Sequence, residues 1–271
     1  MNILLYILIF IIGTLFGSFF TLATYRIPLG QDITHKRSYC PNCNHKLSFW
    51  DMIPILSYIF LGGKCRYCKT KIRIRYLLLE VITGIVFTLF ALSINLNIYT
   101  ISLSKILYLV FGLLYISILF IIAGIDKERY EVKKNVLLVG IIIQTLYIIY
   151  LYVVEKDPNM YRYVIYLFLL CMLVLVDINV LKKKAKASYP VEVLMLSMYM
   201  ILFTYEWVFF MTVCFTLLAI VFYLILRKIK FKKNVVKEDN KKELQLPIAF
   251  YMCTANILCL IVTNMCAFWS F

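Results

Sequence analysis

Charge is scarce in this sequence. Asp, Glu, Lys and Arg make up 16% of its 271 residues, whereas 63% are hydrophobic. A soluble domain uses about 45–50% apolar residues. So little charge in so apolar a chain excludes a soluble protein and implies an integral membrane protein. Acids are scarcer than bases, 14 against 29, which leaves a formal net charge of +15. Such an excess also occurs in nucleic-acid-binding proteins. In a membrane chain it is the mark of Lys- and Arg-rich cytoplasmic loops, so no nucleic-acid partner is expected. The sequence also lacks internal repeats and acids or bases at the middle of its apolar segments, which argues against a transporter built on repeats. Its first apolar run has neither a basic leader region nor a small-residue cleavage site, and it reads as a retained helix rather than a signal peptide.

What is present is long apolar runs. Against the ~20-residue length that crosses a bilayer, eight segments are expected, at about 3–25, 76–95, 106–125, 135–154, 161–180, 190–205, 207–226 and 246–270. The sixth is short and meets the seventh at Glu206. Charge tests this scheme separately. Residues 26–75 hold ten Lys/Arg, 126–134 four, 181–187 four and 227–245 eight; the other three, Lys105, Lys156 and Arg162, fall in the alternate loops. Eight spans place every basic loop on one side, taken as cytoplasmic, with both chain ends outside. Seven spans break that alternation. The stretch 227–245 reads as a topology signal that touches anionic lipid. The expected fold is an all-α membrane protein of about eight helices, divided as a first helix (1–25), a cytoplasmic insert (26–75) and a polytopic remainder (76–271).

The insert holds two Cys-x2-Cys pairs, "CPNC" (Cys40, Cys43) and "CRYC" (Cys65, Cys68), with 21 residues between them. Four soft thiolates in two knuckles suit tetrahedral zinc, although the separation is one residue beyond the usual ribbon range. Disulfides, the competing reading, do not suit a reducing cytosol. Four protein thiolates fill a tetrahedron and leave no position for substrate, so the metal role is structural. His35 and His45 lie nearby and read as solvated loop residues. Cys171, Cys214, Cys253, Cys259 and Cys266 lie in apolar segments and read as packing residues.

Four acids lie at cytoplasmic ends of apolar segments: Glu80, Asp126, Asp177 and Glu192. Ionisable groups at such places are functional candidates. Asp177 reads as an interfacial charge close to Lys182–Lys184. Glu192, near a helix N-terminus, is electrostatically comfortable there. Asp126 is not, because a helix C-terminus disfavours anions, so something other than helix stability retains it. Two acids meeting at this depth can share a proton and perform aspartic-protease chemistry.

The residues also carry a resemblance. "GSFFTLATYRIP" (Gly17–Pro28) is similar to the opening block of the bacterial type IV prepilin leader peptidase/N-methyltransferases, with Thr21 in place of the usual asparagine. Arg37–Glu80 resembles the family's RSxCPxC, IPxxSY, GxCxxC and RYxxxE blocks in order, so the match covers about 65 residues. "LPIAFYMCTAN" (Leu246–Asn256) weakly resembles a late family stretch, keeping Pro247. The resemblance implies two catalytic carboxylates at cytoplasmic helix ends. Asp126 stands for the first, in a block without the family's proline. The second belongs to a GxGDxKL motif, against which "YPVEVLML" sets Glu192 for the aspartate, Tyr189 and Val191 for the glycines and Leu194 for the lysine. The implied activity is cleavage of the basic leader of prepilin-like proteins, followed by N-methylation from S-adenosylmethionine. Asp51 and Glu80 are associated with the methyl-transfer region, and Glu80 alternatively pairs with Arg73 or Arg75. No glycine-rich nucleotide loop accompanies them. The lost glycines leave a second reading open: a peptidase-impaired relative that acts as a methyltransferase or as a scaffold for pilus or secretion machinery.

Overall fold

The computed structural model describes residues 2–35, 37–97, 99, 101–156, 160–177, 188–233 and 246–269. The basic stretch 181–187, with Lys182–Lys184, and residues 234–245 lie outside them. Helices dominate: α1 Asn2–Arg26, α2 Leu56–Phe60, α3 Arg75–Ser93, α4 Leu103–Arg129, α5 Lys134–Tyr150, α6 Met160–Val176, α7 Ser188–Phe203, α8 Glu206–Lys233 and α9 Ile248–Trp269. No β-strand occurs among the described residues beyond isolated bridges. Six of the helices are long and apolar enough to cross a membrane, while α6 and α7 are apolar but shorter. The eight expected segments thus all appear as helices. The weak sixth is one too, and Thr204–Tyr205 breaks it from α8. The protein is an all-helical, multi-pass membrane protein. Two compact units divide it, Met1–Leu113 with Asn264–Phe271, and Leu114–Thr263.

In the first unit, α1 packs along α3. Lipid tails are as apolar as the helices, so close backbone packing rather than hydrophobicity drives such pairs together, and small residues allow it. Gly13 and Gly17 lie four apart on one face of α1. A Cβ on Gly13 would come within 2.8 Å of Gly84 Cα, and one on Gly17 within 2.1 Å of Thr83 Oγ1 and 2.8 Å of Glu80 Cα. Phe20, Phe87 and Phe90 fill the space beside this contact and are fully buried. Gly17→Leu therefore forces the helices apart. A loss of about 3 kcal/mol is expected from such overpacking, read as a lower thermal midpoint in detergent, with Gly17→Ala between the two. A midpoint equal to wild type for Gly17→Leu would show that this contact does not hold the pair.

Arg26 ends α1 and organises the entry to the insert. It is buried, and its guanidinium donates to the carbonyls of Asp32 (3.0 Å) and Arg37 (3.3 Å). In the second unit the core is aromatic and polar together. Tyr115 of α4 stacks on Phe203 of α7 (4.4 Å) and donates to Asn256 Oδ1 of α9 (2.6 Å), while Asn256 Nδ2 donates to Thr212 Oγ1 of α8 (3.1 Å). At the opposite end of α7 from Tyr189, Arg162 of α6 donates to the carbonyls of Ile201 (3.0 Å) and Thr204 and forms an ion pair with Glu206 (3.2 Å). That contact satisfies carbonyls which the end of α7 leaves without helical partners.

Candidate functional site

The two cysteine pairs fold as matching knuckles. In the first, Cys40 N–H bonds to His45 O (3.0 Å), and Asn44 N–H turns back to Cys40 O (2.8 Å). The second repeats this with Cys65 N–H to Thr70 O (2.9 Å) and Lys69 N–H to Cys65 O (3.1 Å). The residue after each second cysteine is left-handed, Asn44 at φ 56° and Lys69 at φ 60°. Asn42 crosses between the knuckles and donates to Thr70 Oγ1 (2.8 Å). The result gathers the sulfurs of Cys40, Cys43, Cys65 and Cys68 within 4.8 Å of one another. Cys40 and Cys68 lie 3.8 Å apart. That is far beyond a disulfide bond and matches the ~3.8 Å edge of a tetrahedron with metal–sulfur bonds of about 2.3 Å. Hydrogen bonds from the Thr70 side chain and backbone pull the Cys68 thiol down to about 5, while, against a hydrogen bond from the His45 backbone, burial and the neighbouring Cys40 and Cys68 push that of Cys43 up to about 11. The cluster fits a metal ion. His35 bonds instead to Asp32 (3.0 Å), and His45 stacks on Tyr67 (3.6 Å).

Asp51 and Glu80 serve as anchors of the insert. Asp51 accepts from Ser48 N–H (3.1 Å), Ser48 Oγ (2.8 Å) and Arg66 Nε (2.6 Å), so it ties the turn after the first knuckle to the second knuckle. Burial works to raise its carboxyl, but the Arg66 and Ser48 hydrogen bonds hold it below the usual range. Glu80, on α3, accepts the backbone N–H of Ile55 (2.8 Å). Ile55 sits at φ 63°, a costly conformation for a β-branched residue, and that hydrogen bond helps to hold it there.

The second unit builds a different site around Asp126. Tyr130, in the left-handed region at φ 56°, ends α4 one turn after Asp126. The carboxylate is fully buried. Oδ1 accepts from Tyr189 Oη (2.9 Å) and Oδ2 from the backbone N–H of Phe250 (2.8 Å). The same tyrosine oxygen accepts from Ile248 N–H (3.0 Å) and Ala249 N–H (3.4 Å). The first turn of a helix leaves its N–H groups without helical partners. Those of α9 go to Asp126 and Tyr189, with Ile248 N–H also reaching the Leu246 carbonyl (2.9 Å), and not to a capping side chain. This resolves the oddity of an anion at a helix C-terminus: the N-terminus of α9 faces it and supplies the opposite partial charge. Lys127 lies over the Phe250 ring (4.7 Å) and adds a second link between α4 and α9.

Glu192 lies three residues after Tyr189 on α7, and residues so spaced share a helix face with Cβ atoms about 5–6 Å apart. It is buried, with Lys134 Nζ of α5 at 3.8 Å. Lys134 also donates to Asp177 at 2.5 Å. Asp177 was expected beside Lys182–Lys184, which lie outside the described residues; its contact here is Lys134. The structure therefore joins Asp126 of α4 to Tyr189 of α7, and Lys134 of α5 to Asp177 at the end of α6 and to Glu192 of α7. Sequence reasoning missed Lys134 and the use of Tyr189. A signal for Tyr189 exists: "QLPIAF" starts a helix without Ser, Thr, Asp or Asn at the cap, so the cap must come from elsewhere in the fold.

Residues 11–94 match the family model of the bacterial peptidase A24 N-terminal domain, so this region is similar to that family. The chain is related through it to prepilin leader peptidase/N-methyltransferases. The protein of that description from Myxococcus xanthus is 41% identical over 81 residues, 30% of this chain and 24% of the relative. That from Klebsiella pneumoniae is 33% identical over 126 residues, 44% and 51%. That from Bacillus subtilis is 32% identical over 131 residues, 48% and 49%. The matches thus span from about a quarter to about half of the length of these relatives. No solved structure matches the chain.

Proposed function

We propose that this chain is a prepilin leader peptidase of the bacterial cytoplasmic membrane, with Asp126 and Glu192 as its catalytic carboxylates. The observation that carries the reading is the Asp126 site. A buried carboxylate with both oxygens held is hydrogen-bonded to Tyr189, one turn from the buried Glu192 on α7. One member of the pair is ionised and takes a proton from water. The other is protonated and polarises the scissile carbonyl. Water oxygen bonds to the carbonyl carbon. As the intermediate collapses, the C–N bond breaks and the leaving amine takes a proton from the dyad. Asp126 is fixed by Tyr189 and the start of α9, while Lys134 holds Glu192 and Asp177 at the neighbouring position.

The basic loops and the insert face the cytoplasm and both chain ends face outward, which puts the dyad at the face where a basic leader is presented. Zinc is the metal of the tetracysteine cluster and acts structurally. The names of the relatives support a further step, N-methylation of the new amine from S-adenosylmethionine, in the N-terminal region. Co-expression with a prepilin tests both activities. Mass spectrometry is expected to find the pilin without its leader and with a methylated N-terminus; intact prepilin overturns the peptidase reading.

Tyr189 acts through Asp126 and is a positioning residue. Losing a hydrogen bond to a charged acceptor costs about 1.5–3 kcal/mol, or roughly 10- to 100-fold in rate. Tyr189→Phe is expected to lower kcat by that factor with little change in KM. A fall in KM-dependent binding with kcat intact would instead make the tyrosine a substrate contact.

A further inference from the structure

The insert carries an apolar surface that neither the metal cluster nor the carboxylates use. Phe49 and Trp50, on the 3-10 turn Phe49–Met52, are 72% and 70% exposed; Ile59 and Phe60, on α2, are 61% and 83% exposed. The Phe49 and Trp50 rings lie 6.0 Å apart, and the two short elements pack together, which brings both exposed pairs onto adjoining elements. Single exposed apolar residues are ordinary, but several large ones on adjoining elements mark a docking face.

What covers it follows from where it is tied. Ile55 lies between the two elements, and its N–H is held by Glu80 at 2.8 Å. Glu80 lies inside α3, about 8 Å along the helix axis from Arg75. Its Cα packs against Gly17 of α1. Both α1 and α3 are of membrane-crossing length and hydropathy. The patch is therefore fastened at the level where these two helices enter the bilayer, and not at a distal tip of the insert. Trp settles at the headgroup boundary, and Trp and Phe on the apolar face of interfacial segments bury into the headgroup/acyl boundary. Lys46, Lys64, Lys69, Lys71 and Arg73 lie in the same insert and complement anionic headgroups.

We propose that residues 49–60 form an interfacial anchor, with Phe49, Trp50, Ile59 and Phe60 immersed at the headgroup–acyl boundary of the bilayer that α1 and α3 cross. The anchor fixes the tetracysteine insert against the membrane face. The proposal stands apart from the peptidase reading.

Tryptophan fluorescence tests it. The chain has three tryptophans, so the Trp207→Phe/Trp269→Phe variant leaves Trp50 alone. The full chain is reconstituted in phosphatidylcholine vesicles containing about one third phosphatidylglycerol. Lipids brominated near the headgroup end of their chains are expected to quench Trp50 about twofold, more than lipids brominated near the chain ends, because such anchors sit about 5–10 Å deep. Phe60→Asp is expected to reduce the quenching. For a readout without variants, wild-type protein is photolysed in vesicles with a diazirine on the phospholipid chain, and adducts are mapped by mass spectrometry to residues 49–60. Trp50 that is unquenched by either lipid and open to aqueous acrylamide, with no adducts on 49–60, overturns the proposal. So does shielding of Trp50 only after a prepilin peptide is added, which makes the patch a protein-docking face.

Discussion

Asp126→Asn is expected to abolish leader removal. The substitution keeps the shape of the side chain but removes the group that, under the proposed mechanism, shuttles the proton. Loss of a catalytic member of such a unit costs about 10⁴-fold or more in kcat, which takes product below detection. Asparagine can still accept one of the two hydrogen bonds that Asp126 receives from Tyr189 and Phe250. Its amide nitrogen then faces the other donor, so a modest drop in stability accompanies the loss. The thermal midpoint in detergent and the metal content of the insert separate the two effects, because both survive in a folded but inactive protein. Glu192→Gln is expected to lose activity equally. Glu192→Asp keeps the acid but withdraws it by about 1.5 Å, and a misplacement near 1 Å costs roughly 100-fold. Cleavage by Asp126→Asn within about tenfold of wild type would sink the dyad.

Cys40→Ser has the second large effect, and it falls on the insert. Two knuckles with few buried side chains fold around four sulfurs. Metal binding to such sites contributes about 10–16 kcal/mol in isolated zinc-finger peptides near neutral pH, so most of the folding energy of the insert rests on the ligand set. The wild-type protein is expected to purify with zinc bound, measured by inductively coupled plasma mass spectrometry. Cys40→Ser is expected to lose the metal and to become sensitive to trypsin between residues 30 and 75, while the helices of Leu114–Thr263 remain resistant. Wild-type protein free of metal, with an insert as protease-resistant as that of the variant, would remove the metal from the account. His45→Ala serves as the control, since its ring stacks on Tyr67 and not on the cluster.

The apolar segments were legible because a bilayer imposes one requirement on every spanning stretch: length and apolarity together. All eight expected segments are helices, including the short one before Glu206. The gathering of the four cysteines was equally legible, since two Cys-x2-Cys pairs are spaced as metal knuckles are. Asp126 could be singled out by electrostatics alone, as an anion at the wrong end of a helix. What answers it could not. Tyr189 lies 63 residues further on and the α9 backbone 124, and no periodicity links such distant positions. Lys134 read as one more basic loop residue until it stood beside both Asp177 and Glu192. Glu80, weighed against Arg73 and Arg75, is joined to Ile55, whose positive-φ backbone no sequence pattern announces.

By itself, then, the sequence determined what each segment is: spanning helix, thiolate knuckle, basic loop or stranded acid. These follow from composition and short-range spacing, which act within a few residues along the chain. Tertiary structure alone decided which partners meet. The N–H groups that open α9, the Tyr189 hydroxyl and the Asp126 carboxylate satisfy one another only because three helices end at the same place. Burying any one of them without the others leaves a polar group unpaired in an apolar medium, at a cost of several kcal/mol.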